Sequence, residues 1–155
     1  ASGIQFTLPG VPCIYYGDEA GVEGYKDPFN RAPFPWGKED KGLTEWYKQL
    51  AKLRSYCSCL KDGDFKEFGS YERTMGYIRY DDTDELLCVF NAANFPIDFI
   101  VPKEFEDGEA LLGTILNGRD LEIPANSCAF VKISADKKHI SEEPENNEVI
   151  PEPAD

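Results

Sequence analysis

The stretch Leu8-Pro9-Gly10-Val11-Pro12-Cys13-Ile14-Tyr15-Tyr16-Gly17-Asp18-Glu19-Ala20-Gly21, followed by Asp27-Pro28-Phe29-Asn30-Arg31 and Trp36, decides how this chain is read. An apolar run starts just after a Pro-Gly breaker and runs straight into two carboxylates and a glycine-rich loop. That order predicts a buried strand over Val11 to Gly17 that ends at a working surface, with β-branched and aromatic residues inside and polar groups at the exit. In a β/α barrel, the C-terminal strand ends and the loops after them carry the site.

The run GVPCIYYGDEAG, followed by DPFNR and then Trp36, resembles the eighth barrel strand and following loop of the α-amylase family of glycoside hydrolases. The nearest branch is the neopullulanase, cyclomaltodextrinase and maltogenic amylase group. The signal lies in the join of a long contiguous run to a second element at a fitting distance; GDE or DP-x-x-R alone occurs often by chance. The resemblance implies a mixed fold, in which the last strand, loop and helix of a (β/α)8 barrel precede an all-β antiparallel sandwich. It further implies a parent enzyme that hydrolyses α-1,4 glucosidic bonds with retention, α-1,6 bonds being an open option, through a two-carboxylate double displacement. The nucleophile Asp, general-acid Glu and transition-state-stabilising Asp of that family lie after earlier barrel strands, so this chain holds no catalytic residue. Alone, it is expected to be inactive. The resemblance is specific over the first third of the chain and rests on order and size beyond it.

Asp18 and Glu19 are neighbours on an expected strand end, so their side chains point to opposite sides. They cannot form the facing carboxylate pair of a glycosidase. Solvated loop charges are the plain reading, and the resemblance implies cleft-supporting residues. Asp27 and Arg31 combine an acceptor with a planar donor, which suits vicinal sugar hydroxyls. The resemblance implies a donor-side glucose subsite, and a salt bridge within the loop is the alternative. Tyr15, Tyr16, Tyr25, Phe29, Phe34 and Trp36 can stack on sugar rings or pack a long loop. Tyr16, at the strand exit, is the substrate-binding candidate, whereas Trp36 is assigned to packing.

Around this stretch, Ile4 to Pro9 reads as the end of a helix or loop. A helix follows the loop, with Thr44 as N-cap, Glu45 in the first turn and a stop at Gly63. Leu43, Trp46, Tyr47, Leu50, Leu53, Cys57 and Leu60 form its apolar stripe. From Phe65 the period changes to two, predicting strands at Tyr77–Tyr80, Glu85–Ala92, Pro96–Val101, Ala110–Leu116, Leu121–Ile123 and Cys128–Ile133, with a turn at Asn117-Gly118. The domain reading is thus residues 1–62 as the end of the barrel, 63–134 as the sandwich, and 135–155 as an acidic disordered tail. That tail holds seven acidic residues against two lysines and too little apolar surface to offset the cost of ordering. His139, the only histidine, lies in it.

A net charge of −13 argues against nucleic acid or an anionic membrane as partner. No apolar run approaches the length of a membrane span. The five cysteines lack the pairing of a disulfide framework or zinc site, so no metal and no cofactor is expected, and free thiols favour a cytoplasmic location. The start at Ala1, without Met and already close to a strand, reads as that of a C-terminal piece. Its expected partners are an α-glucan oligosaccharide, through the parent enzyme, and the remainder of the barrel. Lacking the latter, the helix stripe needs another cover, so self-association, domain swapping or partial disorder before residue 40 is expected. The alternative, from another class, is a non-catalytic β-sandwich module for carbohydrate or protein, with Tyr71, Tyr77, Tyr80, Phe95 and Phe99 as candidate face aromatics. A third option is a sandwich that only stabilises the barrel.

Overall fold

The computed structural model describes residues 1–71 and 73–135, with the Tyr71 side chain left aside. The expected acidic tail and His139 fall outside the described residues. Helix α1 spans Ser2–Thr7, α2 Lys41–Tyr56 and α3 Cys59–Asp62. Among the described residues eight strands follow: β1 Asp64–Tyr71, β2 Thr74–Tyr80, β3 Asp84–Asn91, β4 Ile97–Ile100, β5 Glu109–Leu111, β6 Ile115–Asn117, β7 Asp120–Ile123 and β8 Cys128–Ser134. They form one sheet in the order β1-β2-β3-β8-β5 and a second in the order β4-β7-β6, and every pairing is antiparallel.

Alternation along β3 explains the layering. Leu86, Cys88 and Phe90 turn to one side, where they meet Leu50, Leu53, Cys57 and Leu60 of the helices together with Phe6 and Tyr77. Leu87 and Val89 turn to the other side, against Val101, Phe105, Leu121 and Ile123 beneath the second sheet. All eight residues of β3 are buried, and its middle, Leu86 to Phe90, is apolar throughout, as a strand covered on both faces requires. Of the helix stripe expected to need an outside partner, Leu50, Leu53, Cys57 and Leu60 are therefore covered within the chain, Trp46 and Tyr47 are partly buried, and Leu43 stays exposed.

Several expected boundaries move for local reasons. Asp40, not Thr44, caps α2: its side chain accepts from the Leu43 N–H at 3.0 Å. Thr44 sits inside the first turn, and its hydroxyl donates to the carbonyls of Asp40 and Glu19. The expected single helix breaks at Cys57, because the Ser58 N–H and hydroxyl both donate to Asp84 Oδ2, each at 3.0 Å. Gly63 does follow the last helical turn, but with an extended backbone. Glycine is required there by close approach: a Cβ would lie 2.4 Å from the Cys59 carbonyl oxygen and 2.6 Å from that of Tyr80. Ala110–Leu116 divides into β5 and β6, in different sheets, where Leu112 and Gly113 take positive φ.

Val11 to Gly17, expected as a strand, forms none. A strand needs a neighbour to take its N–H and C=O groups, and no described strand pairs with this segment. It runs as an exposed connection, Val11 being 92% accessible, into a 3-10 turn at Asp18–Ala20. Asp18 and Glu19 thus sit on a turn rather than on opposite faces of a strand end.

Two arginines fasten the N-terminal segment to the sheets. Arg79 of β2, only 1% exposed, donates to the carbonyls of Thr7 (2.7 Å), Cys59 (2.9 Å), Gly63 (2.8 Å) and Asp64 (3.1 Å). Arg54 of α2 reaches the carbonyls of Phe6 and Gly10. Together they satisfy carbonyls at the end of α1 that the helix itself leaves open.

Candidate functional site

The loop between Gly10 and Asp40 is held at several points. The Gln5 side-chain amide donates to the Cys13 carbonyl, and the Tyr16 hydroxyl donates to the Ala32 carbonyl at 2.9 Å. Tyr16 also meets Phe34 edge-on, and Phe34 lies 4.6 Å from Trp36; beyond that one ring contact Trp36, expected to pack, is left 82% exposed. The Asp40 N–H donates to the Ala20 carbonyl and seats the Asp18–Ala20 turn on the start of α2. Gly17 takes φ 83°, and a Cβ there would run into Val22 at 2.6 Å. That position needs glycine on both counts.

Asp27 and Arg31 are brought together, with Arg31 Nε 2.7 Å from Asp27 Oδ1. The turn between them is closed by Phe29 N–H to Lys26 C=O and Arg31 N–H to Pro28 C=O. Both side chains remain well exposed, at 60% for Asp27 and 72% for Arg31. An ion pair this open adds about 0–1 kcal/mol to stability. It presents a fixed carboxylate beside a planar donor, at the surface. Tyr16 is brought to the same loop, but its hydroxyl is engaged by Ala32, so its ring edge and face are what it offers a ligand.

Asp18 is exposed and Glu19 half-buried. Tyr47 of α2 lies within their field: burial first, and then the negative charges of Asp18 and Glu19, push its hydroxyl pKa up. Among the described residues, the buried side-chain acceptors that find no hydrogen-bond partner are Glu19 Oε2 and Asn30 Oδ1. Both belong to this loop. Buried acceptors are normally satisfied, so each of these two atoms is an exception with polar capacity to spare. Asn30, inside the DPFNR run, was not singled out from sequence; an unsatisfied buried acceptor is visible only once the loop is folded. No pair of facing carboxylates with glycosidase spacing is formed by Asp18 and Glu19, which are consecutive on one turn. Among the described residues, no group of three or more His, Cys, Asp or Glu side chains is placed to hold a metal ion. No helix among them is long and apolar enough to cross a membrane.

No protein-family model matches the chain. The chain is 48% identical over 66 residues to an amylopullulanase of Thermoanaerobacter thermohydrosulfuricus, a match covering 43% of this chain and 4% of that protein. It is 42% identical over 91 residues to a cyclomaltodextrinase of a Bacillus species, covering 56% of this chain and 16% of the relative. The crystal structure of a maltogenic amylase from S. marinus superposes with a TM-score of 0.67 at 27% identity, over 85% of this chain and 18% of that one. The chain thus spans less than a fifth of each of these proteins. Within that span, sequence and fold agree that it is related to a segment of the α-amylase family of glycoside hydrolases.

Proposed function

We propose that this chain is the C-terminal part of an α-glucan-degrading glycoside hydrolase, and that it supplies one wall of the substrate cleft rather than the catalytic carboxylates. The observation that carries the reading is the 48% identity over 66 residues to an amylopullulanase. The α-1,4 glucosidic bond is the target, with α-1,6 as a second option. In this reading residues 1–62 complete a barrel and residues 63–134 form the accessory sandwich. Asp27 and Arg31 bind sugar hydroxyls as acceptor and donor, Tyr16 offers its ring, and Asp18 and Glu19 support the cleft floor. The exposed apolar side chains of Val11, Tyr15 and Trp36 are where the rest of the barrel packs, and where copies of the chain associate without it. The buried thiols of Cys57, Cys59 and Cys88 support a reducing, cytoplasmic setting.

A chimera tests the site. Residues 1–135 replace the matching segment of the Bacillus cyclomaltodextrinase, and hydrolysis of maltoheptaose is followed with Asp27 and Arg31 intact or changed. Arg31→Ala is expected to raise KM about tenfold, with kcat lowered less, as for the loss of a charged hydrogen bond made in ground and transition states alike. Unchanged KM in a folded variant removes Arg31 from the subsite.

A further inference from the structure

The two sheets leave an open side where their edge strands, β1 and β4, face each other across a groove of about 870 Å³. Phe68 of β1, Phe99 of β4 and Phe95 of the connection before β4 line it, with Arg73, Asn94 and Asp98 among them. Phe68 and Phe99 stand 5.7 Å apart, their rings inclined by 59°. This groove belongs to the sandwich and shares no lining residue with the loop that carries Asp27 and Arg31.

We infer that the groove is a second, non-catalytic binding site for an α-glucan chain. The inference rests on the α-glucan reading above and deepens it. Sugar rings present apolar C–H faces and a rim of hydroxyls that both donate and accept. A ligand of that kind needs aromatic surface interleaved with a cation, a carboxylate and amides, and the groove provides phenylalanines beside Arg73, Asp98 and Asn94.

The wall is also built in advance. Asn91, 2% exposed at the end of β3, donates through Nδ2 to the carbonyls of Phe95, Ile123 and Pro124 and accepts the Ala93 N–H. The Ala92 N–H donates to the Arg73 carbonyl, and the Asn126 N–H to that of Ala93. The segment bearing Asn94 and Phe95 is thereby fixed from several sides, as a binding surface requires.

An extended peptide is the rival occupant, since two sheet edges border the groove. The register of β1 against β2 slips between Glu67 and Gly69, and Phe68 is the extra residue of that bulge. A bulge interrupts the regular row of backbone groups that strand addition uses, and it re-aims the side chain it carries. The edge is thus suited to ring contacts more than to strand pairing.

The test is a titration of the ¹⁵N-labelled 155-residue chain with maltoheptaose, with cellohexaose as the β-linked comparator. The proposal expects shifts of the Gly69, Thr74, Asn94 and Asp98 amides with maltoheptaose and weaker ones with cellohexaose. Phe95→Ala, at an exposed position, should weaken binding about fivefold or more, Phe95→Tyr should restore it, and Lys48→Ala, at an exposed position of α2 away from both the groove and the loop, should leave it unchanged. Shifts confined to residues 16–36 would overturn the groove proposal while leaving the cleft reading intact. No shift at millimolar sugar would also overturn it, the cleft reading being decided separately by the chimera. Equal response to cellohexaose would remove the α-glucan assignment. Concentration-dependent shifts of β1 and β4 in sugar-free protein, with no sugar response at the groove, would show strand pairing between copies instead.

Discussion

Arg79 shows how one residue ties the chain together. Its guanidinium is buried and donates to four main-chain carbonyls, those of Thr7 in α1, Cys59 in α3, Gly63 just after α3 and Asp64 in β1. Arg79→Met removes those bonds and strands buried acceptors, so a loss of about 3 kcal/mol in urea unfolding is expected. Arg79→Lys should recover little of it, because a single ammonium cannot span the same fork. A loss below about 0.5 kcal/mol in either variant would show that the carbonyls find other donors.

Asp84, also at the residue scale, gives a pH signature. Burial alone would raise its carboxyl pKa, but Lys132 Nζ at 2.7 Å and the two donors of Ser58 outweigh burial and hold it below the ordinary value. Burial would lower Lys132, and the same bond to Asp84 raises it instead. The Asp84 contribution is therefore complete above the ordinary carboxyl pKa, about 3.9, and lost as pH falls through the depressed folded value. The Lys132 contribution is complete below the ordinary lysine pKa, about 10.4, and lost as pH rises through its raised folded value. Urea midpoints between pH 2 and 7 should fall at the acid end in the native chain, and less steeply in Asp84→Asn. An identical acid limb in the two proteins would assign it to other carboxylates.

At the scale of elements, the start of α2 rests on Asp40, and Asp40→Ala should cost about 1 kcal/mol. Thr44→Val, by contrast, should mainly loosen the Asp18–Ala20 turn, whose Glu19 carbonyl it holds. Denaturation of the two variants separates these roles. Sequence alone could not rank Asp40 above Thr44, since both are capping residue types and the choice depends on where the Asp18–Ala20 turn docks. The apolar stripe of α2 was legible because a single buried face leaves a periodic record, and β2, β3 and β8, covered on both faces, were legible as short apolar runs bounded by polar turns. β1 left none: it lies at a sheet edge, its described side chains are exposed, and its register slips at Phe68. The break after Tyr56 was equally hidden, being set by Asp84, distant in sequence. Of the site, the spacing of Asp27 and Arg31 on one short turn was readable. The unsatisfied acceptors of Glu19 and Asn30 were not, nor was the meeting of Phe68 with Phe99, which requires both sheets to be in place.

For the whole molecule, the decisive feature is the shared middle layer. The large sheet packs on the helices with one face and on the small sheet with the other, so the segment read as the end of a barrel and the segment read as a sandwich meet across one apolar core. What that arrangement leaves open is the Gly10–Asp40 loop, with its exposed ion pair and outward aromatic side chains. A loop of this kind is suited to complete a larger cleft and holds no facing carboxylate pair of its own. The most direct test is reducing-end release from maltoheptaose by the purified 155-residue chain, assayed beside the cyclomaltodextrinase chimera that carries its residues 1–135. Hydrolysis by the chimera and none by the chain is the predicted result. Turnover by the chain itself, unaltered through successive purification steps, or a folded chimera that fails to hydrolyse, would contradict the account.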